Sequence, residues 1–246
     1  MSKIVWDRDQ DKHYETGTRD TVLFVKGSTG YGIGVAWNGV TGISEKPGGA
    51  EANALYADDI KYLELRSAET FGGTIEAYTY PDEWTECDGS RNVIPGMKIG
   101  QQTRKSFGLV YTTVKGDGVD FNDAGDLIHI VYNATASPSE RAYKSINESP
   151  EAVTFSWEFT TTPVDMPSVT IDNETTTFKK SSLITIDTAK FTTTEQQTRL
   201  ALLKDALYGT DGVGNTDTGT APTLPTPAQV LGILNGTITS LSGLTG

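Results

Sequence analysis

The chain has 246 residues, of which 36% are hydrophobic, and its 20 basic and 32 acidic side chains give a net charge of −12. A surface this acidic repels phosphate backbones, which argues against a nucleic-acid binder. Cys87 is the single cysteine, so an internal disulfide is excluded. The abundance of Gly and Thr favours strands and turns over helix interiors.

The N-terminal segment is polar, and residues 1–20 are predicted to form an arm or loop. The segment Met1–Asp7 contains charged residues from Lys3 onward and lacks the apolar stretch of a signal peptide. The apolar runs of the chain are far shorter than a membrane span. We therefore expect a protein that is made in the cytoplasm and has no membrane partner.

The next part of the chain is predicted to contain strands joined by long turns. Thr21–Val25 and Ile33–Trp37 are rich in branched and aromatic residues and read as short strands. A long polar loop is expected over about residues 41–58, and a loop of this length in a compact domain is usually functional or flexible.

A β-hairpin is predicted after this loop. Asp59–Glu69 is ambiguous between strand and helix, whereas Thr74–Tyr80 is a clearer strand that ends before a proline. Gly72–Gly73 suits a tight turn, so we predict that the two segments pair with each other across it.

Three further strands are predicted, over residues 103–114, 127–135 and 152–162. In the last of them the apolar residues alternate with polar ones, so they share one face: Val153, Phe155, Trp157 and Phe159.

One amphipathic helix is predicted near the C-terminus. Thr192 and Glu195 have the spacing of a capping box, and Gly209 stands where a helix C-cap belongs. Between them, leucines recur at helical spacing: Leu200, Leu203 and Leu207. This pattern predicts a helix that packs on an antiparallel β-structure.

The composition changes after this helix. Residues 1–209 are therefore expected to form one β domain, and residues 210–246 a Gly/Pro/Thr-rich extended arm. The arm contains Leu231 and Ile233 but lacks good helix chemistry. It is either a disordered tail or a segment that docks on a partner.

The residues do not assemble a recognisable catalytic or metal site. Glu83, Glu86 and Asp88 surround Cys87 and would raise its pKa, which argues against a nucleophile. His129 lies in a strand-like run and is interpreted as a packed side chain. One Cys and two His residues do not supply a zinc ligand set. No enzyme activity, cofactor or metal is predicted.

Several segments resemble the major tail proteins of long-tailed, non-contractile bacteriophages (siphophages). The similarity runs from about Ile4 to Gly212 and departs at Val169–Ser181, which looks like an insertion, and after Gly214. The strings that carry it are Val35–Gly39, Gly49–Asp58, Ile60–Leu63, Gly73–Glu83, Glu86–Gly89, Ile99–Lys105, Ser149–Glu158 and Leu207–Gly212.

This resemblance implies a tail-tube-type β-sandwich or barrel with a flanking helix. It implies homohexameric rings that stack into a hollow tube, located in the tail of the virion, through which DNA passes during infection. The partners would be other copies of the chain, the tape measure protein and the tail proteins at the tube ends. An acidic lumen would let DNA slide without specific binding.

The placement of individual residues in such a tube is a hypothesis. Glu64 and Glu76, on the predicted hairpin, are candidate lumen carboxylates. The long loop and the arm are expected to contact neighbouring rings or subunits through Pro47, Ala50, Glu51, Leu55, Tyr56, Asp58, Leu231 and Ile233.

Two other functions stay open at this point. A carbohydrate-binding β-sandwich would use an exposed stacking platform of Trp37, Tyr80 and Trp84. A glycosidase would use an acidic pair, such as Asp82 and Glu83 or Asp58 and Asp59.

Overall fold

A computed structural model describes residues 6, 12–119, 121–143, 145, 152–171, 174–212 and 219–244. The strands are β1 (His13–Val25), β2 (Val35–Ala36), β3 (Val40–Glu45), β4 (Gly48–Gly49), β5 (Ala52–Ala57), β6 (Ile60–Arg66), β7 (Glu69–Thr70), β8 (Gly72–Ala77), β9 (Arg91–Ile94), β10 (Met97–Ile99), β11 (Phe107–Asp117), β12 (Phe121–Ala136), β13 (Phe155–Thr161), β14 (Val169–Ile171), β15 (Glu174–Thr176) and β16 (Leu183–Asp187). The α-helices are α1 (Thr85–Asp88), α2 (Thr194–Tyr208) and α3 (Pro227–Asn235).

The fold is mainly β and is built on one antiparallel sheet in the order β2-β1-β11-β12-β13-β8-β3. The long strand β12 organises it, because its two halves have different partners. Its first half pairs with β16, as in Ile128↔Ile186, and its last residues pair with β13, as in Thr135↔Thr160. The strands β13, β8 and β3 thereby fold over the rest, and β3 contacts β1.

The first hydrophobic core lies inside this folded sheet. It includes Leu109 and Tyr111 of β11 and Trp157 and Phe159 of β13, together with Trp84. Phe155 packs against the same cluster, while the residues between these apolar positions of β13 are exposed. The predicted apolar face is confirmed for Phe155, Trp157 and Phe159, whereas Val153 precedes the strand, which begins at Phe155.

The second core lies on the other face of β1, β11 and β12, under the helices. Leu200, Leu203 and Leu207 of α2 are buried there, so the predicted amphipathic helix is confirmed. Its capping box begins one residue later than predicted: Thr193 accepts from the Gln196 backbone amide, and Gln196 bonds back. Three consecutive threonines, Thr192–Thr194, followed by Glu195 and Gln196 make the position of the cap ambiguous by one residue.

The predicted extended arm is wrong for residues 227–235, which form helix α3. Thr226 caps this helix in a capping box with Gln229, and Pro227 stands in its first turn. Val230 and Ile233 are buried in the second core, so the C-terminal segment is part of the same packed unit. Part of the predicted arm, residues 213–218, lies outside the described residues.

The predicted hairpin across Gly72–Gly73 is also wrong. Asp59–Glu69 does not pair with Thr74–Tyr80; instead β6 pairs with β5, and β8 pairs with β3 and β13. Both glycines lie inside β8 and are buried. The predicted loop over residues 41–58 is therefore mostly strand, since it contains β3, β4 and β5.

Three smaller differences concern strand ends. The predicted N-terminal arm is wrong from His13 onward, because residues 13–20 extend β1 and pair with β11. The strand predicted over Ile33–Trp37 is limited to Val35–Ala36. Val169–Ser181, where the tail-protein resemblance departs, contains the separate hairpin of β14 and β15.

Close packing, and not a turn, is the reason that β8 requires glycine at position 73. A Cβ there would collide with the Ser44 carbonyl and lie 2.8 Å from Phe159 Cζ. Gly73→Ala is therefore expected to lower the free energy of unfolding by about 1–3 kcal/mol, measured by urea denaturation. Gly100→Ala is the matched control, because no atom lies within 4 Å of its Cβ position. Equal stability of the two variants would contradict this packing.

Candidate functional site

A long two-stranded ribbon extends from the sheet between β3 and β8. We define the ribbon as Gly48–Thr70, in which β4 pairs with β7 and β5 with β6. It is interrupted into separate short strand pairs, but these keep the register of β3 and β8, as Ser44↔Thr74, Gly48↔Thr70 and Leu55↔Leu63 show. At about 3.3 Å per residue, the strand from Gly48 to its end extends roughly 33 Å.

Asp58 and Asp59 close the ribbon in a two-residue turn. Both have positive φ, 51° and 60°, which is the backbone of the turn type that matches strand twist. Asp tolerates this conformation better than most residues because its short polar side chain bonds locally. The tip of the ribbon therefore presents two exposed carboxylates.

The outer part of the ribbon exposes large apolar side chains and belongs to neither core: Leu55, Tyr56, Ile60, Tyr62, Leu63 and Leu65. Tyr56 is 72% exposed and Tyr62 is 70% exposed. A two-stranded hairpin is marginally stable alone, and a concentrated apolar surface usually marks an interaction site. The ribbon is therefore the strongest candidate for a surface that is covered by another molecule.

The structure brings six of the predicted contact residues together on the ribbon or at its base, and all are exposed: Pro47, Ala50, Glu51, Leu55, Tyr56 and Asp58. Leu231 and Ile233 lie elsewhere, on α3. Ile233 is fully buried in the chain's own second core, so its side chain is not available to a neighbour. Leu231 is half-buried.

Glu76 and Glu158 share the outer, polar face of β8 and β13. Glu76 pairs in register with Ser156, and Glu158 with Thr74, so the two carboxylates lie diagonally across adjacent strands. Both side chains are exposed, and neither has an ion-pair partner among the described residues. Glu158 was missed as a lumen candidate, although the alternation of its strand already placed it opposite the apolar face.

Glu64, the other lumen candidate, is separated from Glu76 because it lies on the ribbon in β6. Its carboxylate pairs with Lys61 at 2.5 Å and with Arg66 at 3.0 Å. The Lys61 ammonium, and then Arg66, hold the pKa of Glu64 below its ordinary value. A carboxylate with two cationic partners repels phosphate less than the unpaired Glu76 and Glu158 do.

The predicted carbohydrate platform is wrong, because Trp37 and Trp84 are buried. Their ring centroids lie 4.6 Å apart in the first core, and Trp37 Nε1 donates to the Thr79 carbonyl at 2.9 Å. Tyr80 is half-buried against Phe155. The three rings therefore serve the core and offer no shared exposed surface for stacking a sugar.

The two acidic pairs occupy turns. Asp82 and Glu83 lie in a 3₁₀ turn before α1, and Asp82 is 3.5 Å from Lys98 Nζ. Asp58 and Asp59 form the ribbon tip. Among the described residues, no three His, Cys, Asp or Glu side chains are grouped so as to hold a metal ion.

His129 lies in the strand β12 and is buried, as predicted. Its ring stacks on Tyr111 with centroids 4.6 Å apart, Nδ1 is 3.2 Å from a Glu45 oxygen, and Nε2 is 3.0 Å from Thr113 Oγ1. Burial lowers the pKa of His129 against the opposing effect of Glu45. Glu45 also accepts from Tyr111 Oη at 2.6 Å, so this cluster ties the end of β3 to the sheet where the ribbon begins.

Cys87 is fully buried in the first core on the short helix α1. Burial, then Glu86 and Asp88, raise the pKa of its thiol to about 12. The thiolate should therefore be about a thousandfold scarcer than for a thiol at its ordinary pKa of 9.0. We expect no reaction of native protein with a disulfide reagent at pH 8, and one thiol per chain after denaturation. Stoichiometric labelling of the native protein would contradict this burial.

None of the helices among the described residues is both long and apolar enough to cross a membrane. No protein-family model matches the chain, and no curated protein matches it at a significant level.

Proposed function

We propose that this chain is a structural virion protein, the subunit of a siphophage tail tube. Copies form hexameric rings, the rings stack into a hollow tube in the virion tail, and DNA passes through the tube into the host. The observation that carries the proposal is the ribbon: roughly 33 Å of paired strand with exposed apolar side chains. Such a surface becomes stable when a neighbouring subunit covers it.

The sequence strings that resemble siphophage tail proteins support the same function. Two of them, Gly49–Asp58 and Ile60–Leu63, form the two sides of the ribbon tip. Another, Gly73–Glu83, includes β8 and its exposed Glu76. The resemblance therefore covers both the surface that we assign to assembly and the face that we assign to the lumen.

In the proposed tube the outer face of β3, β8 and β13 lines the lumen. Glu76 and Glu158 would form acidic rings, which repel the phosphates of passing DNA. Basic residues in those positions would release counterions from DNA and hold it. The chain is proposed to contact DNA only transiently and without specific binding, while its lasting partners are other copies, the tape measure protein and the tail-end proteins.

The negative charge of this face can be tested separately by its effect on DNA binding. Glu76→Lys/Glu158→Lys is expected to increase the binding of duplex DNA to assembled tubes by about tenfold or more at low salt, with the increase lost at high salt. Co-sedimentation with labelled DNA measures it. Glu195→Lys/Asp205→Lys on α2 makes the same charge change on the opposite layer. Equal DNA binding by the two variants would show that Glu76 and Glu158 do not line the lumen.

Negative-stain electron microscopy of the purified protein tests the function itself. Rings or tubes are the expected result, and titrating the protein with an initiating tail-end complex extends the test to assembly that needs a nucleus. Particles that stay the size of one chain under both conditions would overturn the proposal.

A further inference from the structure

A cavity of about 560 Å³ lies on the first-core side of the molecule, between the segment that follows α1 and the segment after β12. Its polar lining includes Asp88, Gln101, Arg104, Ser139 and Arg141. These side chains come from three separate parts of the sequence, so no local motif indicated the cavity.

The cavity holds two arginines and one carboxylate. Arg141 pairs with the Asp88 carboxylate, which is only 4% exposed and also accepts from the Ser90 amide at 3.0 Å. Arg104 instead donates to the Asp88 backbone carbonyl at 3.0 Å, and its buried Nε finds no hydrogen-bond partner in the described part of the chain. Among the described residues, the charge of Arg141 is thus balanced and that of Arg104 is not, which leaves the described lining of the cavity with a net positive charge.

An exposed apolar hairpin borders this cavity. Strands β9 and β10 pair just before Gly100 and Gln101, which line the cavity. The hairpin exposes four large apolar side chains: Val93, Ile94, Met97 and Ile99. A positive cavity therefore lies directly beside an uncovered apolar surface.

The ribbon tip has the complementary arrangement. Its turn presents the carboxylates of Asp58 and Asp59, and Tyr56 and Ile60 beside them are exposed. No ribbon residue lines the cavity of its own chain, so a contact between the two surfaces requires a second copy.

We propose that the Arg104–Arg141 cavity of one copy receives the Asp58–Asp59 turn of another copy. A turn carboxylate then pairs with the Arg104 guanidinium, and the β9–β10 hairpin covers the apolar side chains of the ribbon tip. The pairing of the guanidinium with a carboxylate makes the contact specific, and the burial of two apolar patches makes it stable. The inference rests on the proposed function, since it names the acceptor for the ribbon.

Cysteine cross-linking tests this contact in the assembled protein. The double variant Ala57→Cys/Ser139→Cys places one thiol beside the turn and one at the cavity, and Cys87 is buried and stays silent. Because donor and acceptor surfaces differ, mild oxidation is expected to give a ladder of covalent oligomers on a non-reducing gel. Each single variant and Ala57→Cys/Ala201→Cys, with the second thiol on α2, should stay monomeric on the gel.

The outcomes separate the two proposals. Tubes that give the ladder support the contact, and tubes without it overturn the contact while the proposed function stands. Absence of rings and tubes from the wild-type chain, both alone and with the initiating tail-end complex, overturns the proposed function and the contact with it.

Asp58→Asn/Asp59→Asn tests the charge alone, because Asn keeps the positive-φ turn. Assembly followed by light scattering is expected to be about tenfold slower than wild type at low salt and to lose its salt dependence. An unchanged rate and salt dependence would overturn the pairing with Arg104.

Discussion

Replacing residues 53–65 with Asn-Gly is expected to abolish tube formation while leaving the rest of the chain folded. Ala52 and Arg66 are a cross-strand pair, so a two-residue turn can join them without changing the register. The deleted segment contributes no residue to either core. The thermal midpoint should therefore stay near that of the wild type, while electron microscopy shows no tubes.

A second variant tests whether assembly depends on the length of the ribbon or on its apolar surface. Leu55→Ser/Leu63→Ser/Leu65→Ser keeps its length and changes only one face, because Leu55 and Leu63 are paired and Leu65 lies two residues along. Loss of tubes in this variant assigns assembly to apolar burial. Tubes of normal length from the deletion variant would show that the ribbon is dispensable, against the proposal.

Trp84→Ala is expected to cause the largest loss of stability, about 3–5 kcal/mol, because it empties the centre of the first core. Trp84 is fully buried, and its ring centroid lies 4.6 Å from that of Trp37, 5.0 Å from Phe107 and 5.5 Å from Trp157. Urea denaturation followed by tryptophan fluorescence and circular dichroism measures the change in the free energy of unfolding.

Tyr56→Ala is the matched control for this truncation, since it also removes an aromatic ring. Tyr56 is 72% exposed on the ribbon, so the free energy of unfolding should change by no more than about 0.5 kcal/mol. The two variants should then have different effects: Trp84→Ala should lower the free energy of unfolding, whereas Tyr56→Ala should impair assembly. Equal destabilisation by both would contradict the assignment of Trp84 to the core and Tyr56 to an open surface.

The parts of the fold that were predicted correctly have a strong local period. The alternation in β13 and the leucine spacing of α2 each indicate that one face of the element is buried. The apolar side chains of these two faces pack in the first and the second core, respectively. Helix α3 was missed although Thr226, Pro227 and Gln229 form a helix start. Its apolar run is short, and its helical state depends on packing against the second core, which sequence alone does not display.

The hairpin error has a different cause. Gly72–Gly73 has the composition of a turn, but Gly73 is needed because the Ser44 carbonyl and Phe159 occupy the space that a Cβ would need. The true turn, Asp58–Asp59, carries no glycine. Partner choice among strands is set by tertiary pairing, so local composition identified the strands and assigned the wrong partners.

The candidate site was predicted in the same uneven way. Six candidate contact residues on the ribbon or at its base were named because they lie in one continuous segment, whereas Glu158 and Glu76 are brought together only by the pairing of β13 with β8. Arg104 and Arg141 were missed entirely, since they are far apart in the sequence and meet around Asp88. Sites assembled from distant segments leave no local pattern.

Cryo-electron microscopy of tubes grown from the full chain is the decisive test of the proposed tube. We expect a hollow tube of stacked six-membered rings, with Glu76 and Glu158 facing the bore and each ribbon in contact with a neighbouring subunit. A bore lined mainly by lysine and arginine, or a chain that remains solitary in intact virions, would contradict it.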